Sequence, residues 1–280
     1  MKKNSILFFL CLCSAMGAAA QNWPEVKPEA RPGSRWWWLG SAVDKDNLNY
    51  NLKEYGKAGL GSLEVTPIYG VKGNESHNLC FLSPEWMEMF RYTQEVGKTN
   101  GIDIDMNTGT GWPFGGPEVS LSQAAAKAIF ECYEVKGGEP VKLEINIRDP
   151  KEQKQRDVAY LDCLMAYGTD GKVVNLTKKV KDGYLQWDAP AGDWQLVALF
   201  VGRTFQKVKR AAPGGEGYVM DHFSPVSVKS YFEKFDKAFK TNKVNFPRTF
   251  FNDSYEVYGA DWTPAFLKEF AARRGYRLEN

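Results

Sequence analysis

The chain has 280 residues, with 36 lysines and arginines against 34 aspartates and glutamates, and 14% of it is aromatic. A net charge of +2 gives no electrostatic footprint for nucleic acid or an anionic membrane surface. His77 and His222 are far apart, and Cys80, Cys132 and Cys163 are scattered and odd in number, which leaves little material for a histidine zinc site, a Ser-His-Asp triad or a disulfide framework.

The opening "MKKNSILFFLCLCSAMGAAA" carries Lys2 and Lys3, an apolar run, then small residues ending at Ala20. This order reads as a cleavable signal peptide, cut after Ala20 and too short to span a bilayer. A secreted or periplasmic protein without a membrane anchor is therefore expected. Its loss removes two lysines and leaves 34 bases against 34 acids.

In "RPGSRWWWLG", residues 31–40, the aromatic run predicts a first strand. Alternation sends Trp36 and Trp38 to one side and Trp37 to the other. Asp44 is a candidate N-cap for a helix over 45–58 that closes at Gly59 and Gly61. "SLEVTP", 62–67, predicts a second strand, Ser83 and Pro84 open a second helix closed by Gly101, and "IDIDMNTG", 102–109, is a third strand. This rhythm is that of βαβ units on a parallel sheet.

The pattern then changes to short alternating segments. Residues 120–213 predict an antiparallel β insertion, with Thr169-Asp170-Gly171 and Ala191-Gly192-Asp193 placed as hairpin turns. "SLSQAAAKAIFECYEV" at its entry is ambiguous, its alanines favouring helix and its neighbours favouring strand. The α/β rhythm resumes with a helix carrying Val228, Tyr231, Phe232, Phe235 and Phe239, a strand over 248–252, and a helix in "DWTPAFLKEFAARRGY".

The expected architecture is α/β: the N-terminal half of a (β/α)₈ barrel with an antiparallel β-sandwich-like subdomain inserted after the third strand. Its divisions are 1–20 (signal peptide), 21–119 (first part of the barrel), 120–213 (insertion) and 214–280 (barrel continuation). Four parallel strands fall short of the eight a closed barrel needs, so the chain is expected to stop partway through a larger domain and to require its C-terminal half as a partner. No glycine-rich phosphate turn follows the first strand, which argues against a nucleotide fold.

In a (β/α)₈ barrel, function gathers at strand exits. There the sequence places Trp37 and Trp38, Glu64, Asp105 and Asn107, Trp112 in the glycine-rich loop "TGTGWPFGGP", and Asp253. The tryptophans suit stacking on an uncharged sugar, and the other side chains are candidate sugar-binding groups. Glu256 follows the fourth strand, with Tyr255 and Tyr258 beside it to exclude water and raise its pKa. It is the candidate general acid of a reaction that pairs one carboxylic acid with a second carboxylate. Arg35, at the start of the first strand, is expected to point away from the mouth.

"RPGSRWWWLG", "AGLGSLEVTPIYG", "NTGTGWPFGGP" and "FFNDSYEV", in this order, resemble glycoside hydrolase family 106, the α-L-rhamnosidases. The resemblance implies an inverting, calcium-assisted hydrolase acting on terminal α-L-rhamnose of plant polysaccharides, built on a (β/α)₈ barrel. Glu256 in "DSYE" matches the family's general acid. The family's general base lies in a later motif, beyond Asn280, so this chain alone is expected to be inactive. Asp253, Asp105 and Glu64 are the candidate oxygen ligands for calcium. A sugar-binding protein without catalysis, or an exo-glycosidase of another specificity such as a galactosidase or uronidase, are the alternatives.

Overall fold

A computed structural model of the chain describes residues 24–280. The expected signal peptide lies outside these residues. Among those described, no helix is long and apolar enough to cross a membrane.

Strand β1 (Gly33–Leu39) is followed by α1 (Lys45–Lys57), β2 (Ser62–Ile68), α2 (Pro84–Thr99) and β3 (Asp103–Asn107). The helix starts follow local chemistry. The Asp44 carboxylate accepts from the Asn47 amide at 2.9 Å, and the Ser83 hydroxyl accepts from the Trp86 amide at 3.2 Å, satisfying donors that a helix start leaves free. Leu48 and Leu52 on α1, and Trp86, Met87 and Phe90 on α2, are buried, each burial contributing roughly 1.5–3 kcal/mol. Trp36 and Trp38 pack beneath these helices, with Trp38 5.6 Å from Trp86 between ring centroids. Trp37 lies on the opposite face and is 51% exposed.

After β3 the chain makes a short β4 (Gly115–Gly116) and enters the insertion: β5 (Ala126–Gly137), β6 (Pro140–Glu144), β7 (Tyr160–Gly168), β8 (Val173–Asn175), β9 (Val180–Lys181), β10 (Tyr184–Asp188) and β11 (Gly192–Arg203). Ala126 and Ala128 of the entry segment are in strand β5, because its partner β11 pairs with it over twelve residues, from Gly192 opposite Gly137 to Arg203 opposite Ala126, and Ala124 and Ala125 lead into it. Two antiparallel sheets form, ordered β5-β11-β7-β8 and β6-β10-β9, and share a core that includes Tyr133, Leu164, Leu185, Trp187 and Leu196. Thr169-Asp170-Gly171 does turn the β7–β8 hairpin. Ala191-Gly192-Asp193 does not make one, since β10 and β11 belong to different sheets and the turn carries the chain between them.

Pairing of β5 with β11 returns the chain to where it left: the Thr204 amide donates to the Ala125 carbonyl at 2.9 Å. Then β12 (Tyr218–Val219) pairs with β4, and α3 (Pro225–Asn242) buries Tyr231, Phe235 and Phe239 against α2 and the sheet. Strand β13 (Phe250–Phe251) is only two residues long, and α4 (Phe266–Arg274) is the last element. The parallel sheet has the order β1-β2-β3-β13. Its helix-covered face holds Leu63, Val65, Ile104 and Met106. The other face carries Arg35, Trp37, Glu64, Thr66, Asp103, Asp105 and Phe251.

Candidate active site

Register builds the polar face of the sheet. Arg35 pairs with Glu64, and Glu64 with Asp105, in one row across β1, β2 and β3. Burial raises the Glu64 carboxyl above its ordinary value, against the Thr66 hydroxyl donating to it at 2.9 Å and the Arg35 charge. The Arg35 guanidinium lies 3.3 Å from Glu64 and 2.9 Å from Asp253, and rests over the Phe251 ring at 5.1 Å. Arg35 therefore does not point away from the strand exits. Its side chain is long enough to leave mid-strand and reach the loop that follows β13.

Asp105 is held by four donors. Arg248 binds it through Nε at 3.0 Å and Nη2 at 2.6 Å, and Thr249 through its amide at 3.1 Å and hydroxyl at 2.9 Å. The paired carboxylate holds Arg248 above its ordinary pKa, and Asp103 adds to it at 3.2 Å. These bonds fix the start of β13, whose register places Phe250 beside Met106.

Residues 108–117 fold back over the strand ends. The Gly111 amide donates to the Pro67 carbonyl at 3.0 Å, the Thr108 amide to Phe251 at 2.9 Å, and Trp112 exchanges two backbone bonds with Lys209 at 3.1 and 3.0 Å. Asn107 is fully buried, donating to the Gly111 carbonyl at 3.2 Å and accepting from the Thr108 amide at 3.0 Å. It supports the loop from beneath rather than facing an open surface. Gly111 has φ +55° and sits where a Cβ would lie 2.0 Å from the Lys209 carbonyl oxygen, so glycine is required there.

Glu256 stands on the loop after β13. The Ser254 hydroxyl donates to its carboxylate at 3.1 Å, and the Gln206 side chain donates to its carbonyl at 2.7 Å and accepts from the Tyr258 amide at 2.8 Å. Tyr255 packs against His222 at 4.8 Å and Phe114 at 6.0 Å. Tyr255 and Tyr258 are 57% and 64% exposed and Glu256 is itself exposed, so the two tyrosines do not enclose the carboxylate as the sequence leads one to expect.

The sequence candidates thus fall into three groups. Trp37, Glu64, Asp105 and Asp253 share the helix-free face with Arg35, and Glu256 and Trp112 sit on the loops at its strand exits. Trp38 is 1% exposed beneath α2, because residue alternation in β1 turns it to the helices, and Asn107 is a loop support. Arg248 and Gln206 carry much of the geometry and have no motif to announce them, and the motif that contains Arg35 does not show which carboxylates it meets.

The three candidate calcium ligands do not fit the ion as they stand. Calcium needs six to eight oxygens at about 2.3–2.6 Å. Glu64 and Asp253 both face the Arg35 guanidinium, and each oxygen of Asp105 is taken by Arg248 or by Arg248 with Thr249. Among the described residues, no group of three or more His, Cys, Asp or Glu side chains is placed to hold a metal ion.

The fold has a known counterpart. The chain superimposes on the structure of a rhamnosidase from Novosphingobium sp. PP1Y with a TM-score of 0.68, at 16% identity over 90% of this chain and 41% of that one. It is 25% identical over 292 aligned positions to a provisionally named beta-glucuronidase of Formosa agariphila, covering 90% of this chain and 25% of that protein. The chain thus spans less than half the length of each. The family model described as alpha-L-rhamnosidase matches residues 24–172 and 166–280, which together are nearly all of the chain, and the protein belongs to glycoside hydrolase family 106.

Proposed function

We propose that this chain forms the acid-bearing part of a secreted, inverting α-L-rhamnosidase, with Glu256 as general acid. The observation that carries this reading is the placement of Glu256: an exposed carboxylate on a loop fixed at the exit of a parallel strand, where barrel enzymes keep their chemistry. In the reaction, protonated Glu256 donates its proton to the glycosidic oxygen as the bond to the sugar breaks. A second carboxylate, some 6.5–9.5 Å away across the sugar, takes a proton from the attacking water. That second group comes from the remainder of the protein, which also completes the barrel beside the polar face of the sheet. The 280-residue chain alone is inactive on this account.

Pairing of the arginines on the sheet face favours a neutral sugar. A uronic acid substrate calls for an unpaired arginine to bind its carboxylate. Both arginines on the helix-free face are already engaged, Arg35 with Glu64 and Asp253, and Arg248 with Asp103 and Asp105. Lys209 and Arg210, beside the glycine-rich loop at the strand exits, rest on the Tyr258 and Tyr69 rings without a carboxylate partner among the described residues, so the case against a uronic acid rests on the engagement of Arg35 and Arg248. Trp37 supplies an exposed ring for stacking on a sugar face.

The test is the stereochemistry of the first product. Full-length enzyme acting on an aryl α-L-rhamnoside, followed by proton NMR, should release β-L-rhamnose before mutarotation. Release of the α-anomer first contradicts an inverting mechanism.

A further inference from the structure

We propose that Gln206 is a positioning residue for Glu256, tying the acid-bearing loop to the root of the β insertion. The inference rests on Glu256 being the general acid. Its basis is a two-bond clamp. The Gln206 amide nitrogen donates to the Glu256 carbonyl at 2.7 Å, and its oxygen accepts from the Tyr258 amide at 2.8 Å. One donor and one acceptor on a single planar group meet the two backbone groups that flank Val257. Glutamate offers two acceptors and no donor here, and asparagine is one methylene short.

The clamp has a rigid anchor. The Gln206 carbonyl accepts from the Val219 amide at 2.9 Å, Lys207 bridges to Tyr218, and the Val208 amide donates to Gly217 at 3.0 Å. Val219 is 1% exposed and pairs in β12 with Gly115 of β4. Two residues before Gln206, Thr204 is bonded to Ala125 at the base of the β5–β11 pair. The loop is therefore held from two sides: by Arg35 through Asp253, and by the insertion root through Gln206. On this account the insertion serves catalysis by fixing where the acid stands.

Loss of the clamp misplaces a proton donor without removing a sugar contact, so the effect depends on how much the leaving group needs that proton. In the full-length enzyme, Gln206→Leu should lower kcat about 10- to 100-fold on a rhamnoside with an alkyl or sugar leaving group. It should change kcat by less than about three-fold on a 2,4-dinitrophenyl rhamnoside, whose leaving group departs unprotonated. KM should stay within about two-fold for both. Equal losses on the two substrates, or none on either, overturn the proposal. Glu256→Gln on the same pair separates the two levels: absence of leaving-group dependence there overturns the acid assignment itself, whereas its presence in Glu256→Gln but not in Gln206→Leu overturns only the role of Gln206. If Gln206→Leu does not fold, Gln206→Glu, which keeps the shape and loses the donor, is read by the same criteria.

Discussion

Arg35 and Asp253 meet at 2.9 Å, joining the first strand of the parallel sheet to the loop beyond its last. Glu64 shares the same guanidinium at 3.3 Å. Arg35→Met leaves two half-buried carboxylates facing each other without their cation, which costs roughly 1–3 kcal/mol and pushes Glu64 further above its ordinary pKa. Urea unfolding should show that loss, and kcat of the full-length enzyme should fall on the order of ten-fold as the Glu256 loop loosens. Unchanged stability and turnover would mean that the contact is incidental.

Gly111 and Gly59 offer a matched comparison. Both have positive φ, but a Cβ at Gly111 would meet the Lys209 carbonyl at 2.0 Å, while one at Gly59 meets nothing within 4 Å. Gly59→Ala should cost about 1 kcal/mol, and Gly111→Ala clearly more, about 2–4 kcal/mol. Equal thermal shifts would show that residues 108–117 are not pinned to the returning chain.

Glu131 anchors the insertion. Burial pushes its carboxyl up, but the Arg148 amide at 2.7 Å, the Arg148 guanidinium at 2.9 Å and the Asp149 amide at 3.2 Å outweigh it and hold the pKa below 4.5. A lowered acid binds fewer protons folded than unfolded, so its contribution is full above pH 4.5 and fades as acid is added through the lower folded value. Glu131→Gln should lose about 1–2 kcal/mol at neutral pH, and its deficit against the native chain should shrink below that point.

At His222 burial disfavours the charged form, and the pH dependence has the same sign. Burial lowers the imidazole from 6.5, with the neighbouring Asp221 charge opposing. The unfolded chain then binds more protons, so this residue makes stability rise with pH through the window below 6.5 and fall on acidification. Burial raises the Asp221 carboxyl, which contributes with the reverse sign, so the comparison must be with a variant. The thermal midpoint of His222→Gln should fall less than that of the native chain between about pH 7 and pH 5. A parallel fall in both would exclude His222 as a source of acid sensitivity.

Residues that act through periodicity were legible in the sequence. Two-residue alternation put Trp36 and Trp37 on opposite sides of β1, and the caps at Asp44 and Ser83 marked helices to within a residue or two. Contacts between distant segments were not legible. Nothing local to Gln206 announces the loop fifty residues on, and nothing in "GSRWWW" says that Arg35 reaches Asp253 rather than solvent. Ala126 and Ala128 carry a helical preference that pairing along β11 overrides. Trp38 needed one further step, since alternation placed it opposite Trp37 but not which side the helices would cover.

The most direct measurement of the central claim is kcat/KM of the full-length enzyme, native and Glu256→Gln, on 4-nitrophenyl α-L-rhamnoside and 4-nitrophenyl β-D-glucuronide. The account predicts hydrolysis of the rhamnoside, a loss of at least about ten-fold in Glu256→Gln, and no turnover of the glucuronide. Efficient glucuronide hydrolysis, or rhamnoside turnover indifferent to Glu256→Gln, would contradict it.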